Sequence, residues 1–211
     1  MTGGLFPLYK EVGMLNADVD ILVDDLRWMA VGSGAGKAIT GATNATPISI
    51  TCTSHGYTTG DKVMIKGVGG NTAANGIFTI TNTGTNTFTL QDGSGNNVAG
   101  NGAYTSGGLV LNLTANDYEN DITSAIIATT SAISSKTTTK GVFDHADVTF
   151  SAVTTGLSIE WFILKKHTGV TSTSILICAV DGWSGAANPI LTNGGDVTLQ
   201  ISASGVFIIA A

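Results

Sequence analysis

Between Ala38 and Val110 the chain carries four charged residues, Asp61, Lys62, Lys66 and Asp92, and its polar character comes from Thr, Asn and Gly instead. A surface helix needs a charged face with a 3.6-residue period, and this stretch cannot supply one. It does supply short β-forming runs: Pro47–Cys52, Lys62–Lys66, Gly76–Ile80 and Thr85–Leu90. Turn chemistry separates them, at His55–Asp61, Gly67–Asn71 and Asn82–Gly84. Strands of this length spaced by such turns predict a small antiparallel barrel or sandwich.

The flanks are also β in character. In Ala17–Val23 alternation places Val19, Ile21 and Val23 on one face and Asp18 and Asp20 on the other, which predicts a half-buried strand. Leu26–Val31 resumes the pattern, with Leu26, Trp28 and Ala30 together. Downstream, strands are predicted at Lys140–Phe143, Asp147–Ser151, Ser158–Leu164, Ser174–Val180, Asp196–Ser202 and Gly205–Ile209. Ile175–Val180 is continuously apolar, so that strand is expected to be covered on both faces. Asp117–Ile127 reads either as one short helix or as an irregular connection. The glycine-rich runs Gly32–Lys37 and Gly93–Gly108 read as flexible joints. The fold class is therefore all-β, an antiparallel barrel or sandwich host domain (1–37 and 109–211) interrupted by a second small barrel (38–108).

Composition narrows the function classes. Of 211 residues 43% are hydrophobic and only 11% charged, with a formal net charge of −6. Disorder is excluded by that balance. An acidic chain with 9 Lys+Arg lacks the electrostatic footprint of a nucleic-acid or anionic-membrane partner. The N-terminal run has no basic and apolar signal-peptide pattern, and no apolar stretch approaches the ~20 residues of a membrane span. Cys52 and Cys178 sit in apolar runs and read as small buried hydrophobes in a chain made in a reducing cytosol.

Candidate chemistry is sparse. His55, His145 and His167 lie in separate turns and read as ordinary turn or surface histidines. Asp18, Asp20, Asp24 and Asp25 form the best metal candidate but lack calcium-loop spacing, so they read as a solvated face. Glu11, Glu119 and Glu160 suggest no glycosidase-type carboxylate pair. Gly32–Lys37 lacks the spacing and the hydroxyl of a phosphate loop. These readings predict no catalytic residue, no metal, no cofactor and no enzyme. Trp28 and Trp161 lie in apolar runs and are expected in the core. Trp183, in a turn, is the preferred interface residue. The apolar terminus containing Phe207, Ile208 and Ile209 is expected to be buried, in the chain's own core or against a neighbouring subunit.

Two stretches carry resemblances. Ile50–Ile80 followed by Asn86–Leu90, and within them His55-Gly, Thr59-Gly-Asp61, Gly67-Val-Gly-Gly-Asn71 and Asn75-Gly76, resemble a small β module that recurs in tailed-bacteriophage structural proteins. That module is similar to the first catalytic-cysteine half-domain of ubiquitin-activating enzymes, without that enzyme's chemistry. Lys10–Ile21, Asp24–Val31, Gly141–Thr154, Leu164–Gly169 and Thr192–Leu199 resemble small phage virion proteins. The resemblances imply a non-enzymatic virion component, foremost a capsid cement (decoration) protein on the outside of the major capsid protein lattice. They imply a homotrimer with the major capsid protein as partner, made in the bacterial cytoplasm and located on the capsid exterior. A neck or tail component (adaptor, tail tube or fibre attachment) is the alternative. A glycan-binding or glycan-hydrolysing module is a third reading, requiring an exposed aromatic platform or an acid pair.

Overall fold

A computed structural model describes residues 3–6, 19–139, 142–181, 189–202 and 205–208. In chain order its strands are β1 (Gly3–Leu5), β2 (Leu26–Val31), β3 (Lys37–Ala38), β4 (Gly41–Ala42), β5 (Ser49–Thr51), β6 (Lys62–Lys66), β7 (Gly76–Gly84), β8 (Thr87–Gln91) and β9 (Leu109–Asn112). They continue with β10 (Ile126–Thr129), β11 (Thr137–Thr139), β12 (Val142–Asp144), β13 (Val148–Phe150), β14 (Ser158–Ile159) and β15 (Trp161–Lys166). The last four are β16 (Leu176–Val180), β17 (Ile190–Leu191), β18 (Val197–Leu199) and β19 (Phe207–Ile208). Among the described residues there is no α-helix, every strand pairing is antiparallel, and no helix is long and apolar enough to cross a membrane.

Two sheets dominate. A five-stranded central sheet has the order β1-β16-β15-β2-β10, and a seven-stranded module sheet has the order β3-β9-β6-β7-β8-β5-β4. The module ladder does not close into a barrel. Residues 37–42 instead border both of its ends: Ile39 N donates to Gly108 O beside β9, and Thr40 N donates to Thr51 O beside β5. β9 (Leu109–Asn112), placed by the sequence in the host part, is hydrogen-bonded to β3 and β6 in this sheet.

Alternation along the central strands explains the layering. Trp28, Ala30, Phe162, Leu164 and Ile177 face one side, in a core shared with Phe143, Phe150 and Leu199 of the small sheets β11-β12-β19 and β13-β18. Met29, Val31, Trp161, Ile163 and Ala179 face the other side and pack on Met64 and Leu111 of the module sheet. The central sheet is thus the middle layer. Residues 176–180 are buried throughout, as the continuous apolar run requires. The module sheet has its own interior as well, around Ile50, Val63, Ile80, Phe88 and Leu90.

The structure corrects several sequence expectations. Ala17–Val23 is not a strand where it is described: residues 21–23 form a turn. Asp20 Oδ1 accepts the amides of Leu22 and Val23, and this local bond outcompetes the ladder. Val19 and Ile21 are buried, but Val23 is 78% exposed rather than sharing their face. Gly32–Lys37 is not a flexible joint. Ser33–Ala35 form a 3₁₀ turn, and a Cβ on Gly36 would lie 2.6 Å from the Trp161 ring, so glycine is there for close packing. The second glycine run is also built in, since a Cβ on Gly100 would lie 2.8 Å from Asn44 Cα and one on Gly108 (φ +109°) 2.8 Å from the Val68 side chain. Asp117–Ile127 resolves as an irregular connection, with 3₁₀ turns at Glu119–Asp121 and Thr123–Ala125 leading into β10.

Candidate functional site

The motif residues of the module act first on its own backbone. His55 is 2% exposed, its Nδ1 accepts the Tyr57 amide and its Nε2–H donates to Gly84 O at 2.8 Å, so the proton sits on Nε2. Asp61 accepts the amide and hydroxyl of Thr58 and the side-chain amide of Asn112. Asn71, fully buried, donates to Thr43 O and accepts the Asn101 amide. Asn75 accepts the Val68 amide and donates back to Val68 O. Each side chain fastens a turn whose peptide groups the ladder leaves unpaired.

The junction of the module and central sheets holds the strongest electrostatics. Lys66 Nζ lies 2.6 Å from Glu160 Oε2, donates to Glu160 O at 2.6 Å, and stands 5.0 Å from the centre of the Trp161 ring. Burial pulls the Lys66 ammonium below the ordinary lysine value, and the hydrogen bond it donates to Glu160 opposes that pull. Lys165, 2% exposed, pairs with Glu119 at the edge of the same layer. A cleft of about 410 Å³ opens beside the first pair, bordered by Lys66 and Leu109 on one side and Glu160, Asp181 and Pro189 on the other. A buried ammonium held by a carboxylate, a carbonyl and an aromatic face has a fixed direction across the junction of the two sheets.

The residues singled out by sequence fall as follows. Trp183 and Ile209 lie outside the described residues. Phe207 and Ile208 form β19, whose backbone pairs with Phe143 and Val142 of β12. Trp28 and Trp161 are core residues, 1% and 0% exposed. Cys52 and Cys178 are buried free thiols, and burial pushes both up, Cys178 to about 12. The acidic set is engaged: Arg27 grips Asp25 in a two-pronged contact (3.0 and 2.7 Å), which holds that carboxyl below its usual range. Asp24 pairs with Lys166 at 3.0 Å, and Asp18 lies outside the described residues. Among the described residues no cluster of three His, Cys, Asp or Glu side chains is placed to hold a metal. His55 and His145 sit in connecting segments as expected but are not surface histidines; both are buried, each ring against aromatic neighbours.

Sequence reasoning missed the Lys66–Glu160 and Lys165–Glu119 pairs. The available signal was a lone charge in an apolar run, Lys66 after Val63-Met64-Ile65 and Glu160 before Trp161-Phe162-Ile163, since such a charge needs an opposite partner when it is buried.

Residues 46–113, about a third of the chain, match the family model of the ubiquitin-activating enzyme E1 FCCH domain. A search of curated proteins finds no match. The module resemblance read from the motifs is therefore supported over those residues. The expectation that the chain is not an enzyme is overturned here, because the matched model belongs to an enzyme family; the FCCH domain by itself is a non-catalytic part of that family.

Proposed function

We propose that this chain is a structural component of a tailed-bacteriophage particle, a capsid cement protein that docks as a homotrimer on the outer surface of the major capsid protein lattice. The observation that carries the reading is the apolar seam of Met29, Val31, Trp161 and Ile163 on Met64 and Leu111, which joins an FCCH-like module to a second β body; the sequence segments of that body resemble virion proteins. A stiff body rich in Thr, Val, Ile and Gly freezes few rotamers on docking. Repetition on a symmetric lattice makes weak single contacts strong together. The apolar C-terminal strand and Trp183 are the contact residues this reading favours.

Quantitative mass spectrometry of purified particles tests it. A copy number close to that of the major capsid protein is expected. A few copies per particle moves the assignment to the neck or tail, and absence from particles removes it.

A further inference from the structure

His145 occupies an unusual place for a titratable ring. It is 6% exposed, in the turn after β12, and its Nε2 accepts the indole N–H of Trp28 on the central sheet at 3.0 Å. Its Nδ1–H donates to Ala146 O at 2.7 Å. Both ring nitrogens are spoken for in the neutral tautomer, and a second proton has nowhere to go except Nε2, where it would face another N–H. The ring also lies 5.6 Å from Phe143 and 6.1 Å from Trp28, centre to centre.

This bond lies at the edge of the small sheet β11-β12-β19, beside Phe143 of the shared core. Phe143, two residues before His145, pairs with Phe207, and its carbonyl accepts the Val206 amide. Ala146 N donates to Ser134 O, tying the same turn to the segment that leads into β11. Beside Trp28 lies a small apolar cavity of about 20 Å³, lined by Leu199, Ile201 and Val206.

We propose that His145 is an acid-sensitive latch: a proton taken up at Nε2 breaks the bond to Trp28 and releases the β11-β12-β19 sheet, and the C-terminal strand with it, from the central sheet. The charged groups facing the ring are Asp144 and Asp147, on its own segment. Asp144 is occupied by the His145 amide and Asp147 by the Ile201 amide. From β2 the ring meets the uncharged indole of Trp28, while the charge of Arg27 on that strand is held by Asp25. Burial lowers the affinity of His145 for a proton, and the hydrogen bond to the Ala146 carbonyl, with the two aspartates, lifts it part of the way back. The sign follows. A depressed histidine stabilises the fold above the unfolded value of ~6.5, and that contribution drains away as pH falls below it. The latch does not depend on the proposed role in a particle.

Hydrogen exchange of the whole chain, corrected for intrinsic rates, reads this directly. Between pH 7 and 5, protection of residues 137–139, 142–150 and 205–208 is expected to fall by about tenfold or more relative to the module sheet. In His145→Gln the amide oxygen keeps an acceptor for Trp28 and does not titrate, so the selective loss is expected to vanish. Equal protection at both pH values, or the same loss in H145Q, overturns the latch. NMR titration of the unmodified chain decides if H145Q does not fold. The His145 ring is expected to titrate below ~6.5 with the Trp28 indole N–H moving in step; an ordinary midpoint, or an unmoved indole, overturns it.

Discussion

The central sheet carries a tryptophan on each face, and the two are held differently. Trp161 faces the module sheet, fully buried, under the Lys66 ammonium, and its indole N–H has no hydrogen-bond partner among the described residues. Trp28 faces the small sheets and spends its N–H on His145. The module side is therefore sealed by apolar area and carries a buried ion pair. The other side is closed by a neutral hydrogen bond whose acceptor titrates. The contrast teaches that one sheet can weld one neighbour and hold another on a conditional contact, according to what stands opposite each indole.

The comparison can be broken most directly on the module side. Trp161→Ala is expected to cost about 4 kcal/mol in urea unfolding, because a fully buried large ring leaves a cavity at the seam. A loss under about 1 kcal/mol would mean that the sheets are not welded there. Lys66→Met is expected to cost about 3 kcal/mol, since Glu160 is left charged and buried, while K66M/E160M together recover most of that. A double variant as weak as the single would show that the pair supplies stability rather than direction.

Smaller effects sharpen the contrast between the indoles. Trp28→Phe is expected to cost about 1–2 kcal/mol, because Nε2 of His145 loses its donor inside the core. Trp161→Phe removes an N–H that has no hydrogen-bond partner among the described residues and costs less. Equal losses would erase the distinction. Smallest of all, thiol modification at pH 8 is expected to be negligible in the folded chain and complete in urea, because both thiols are buried and raised.

Much of the strand pattern was legible in the sequence, for local reasons. Leu26–Val31 alternates and forms β2, and Lys62–Lys66, Gly76–Ile80 and Thr85–Leu90 supply β6, β7 and β8. What failed had local or distant competitors. At Asp20 a side-chain oxygen took the amides that a strand needed. At Gly36 the reason for glycine is the Trp161 ring, brought in from far along the chain. The partners Lys66 and Glu160 stand 94 residues apart, and Trp28 and His145 stand 117 apart, so no window of sequence holds either pair together. The module motifs were legible as motifs; that His55, Asp61, Asn71 and Asn75 serve as backbone fasteners required the fold.

Lys37 and Val110 are partners on a single rung of the module sheet. The backbone leaves on its long excursion and comes home at the same spot, two Cα positions about 5 Å apart. A protein engineer can treat everything between them as a cassette, to be excised with a tight turn or exchanged for another body. Any replacement has to bring its own greasy underside, because excision takes Met64, Ile77 and Leu109 out of the cluster that covers Met29, Val31, Trp161 and Ile163.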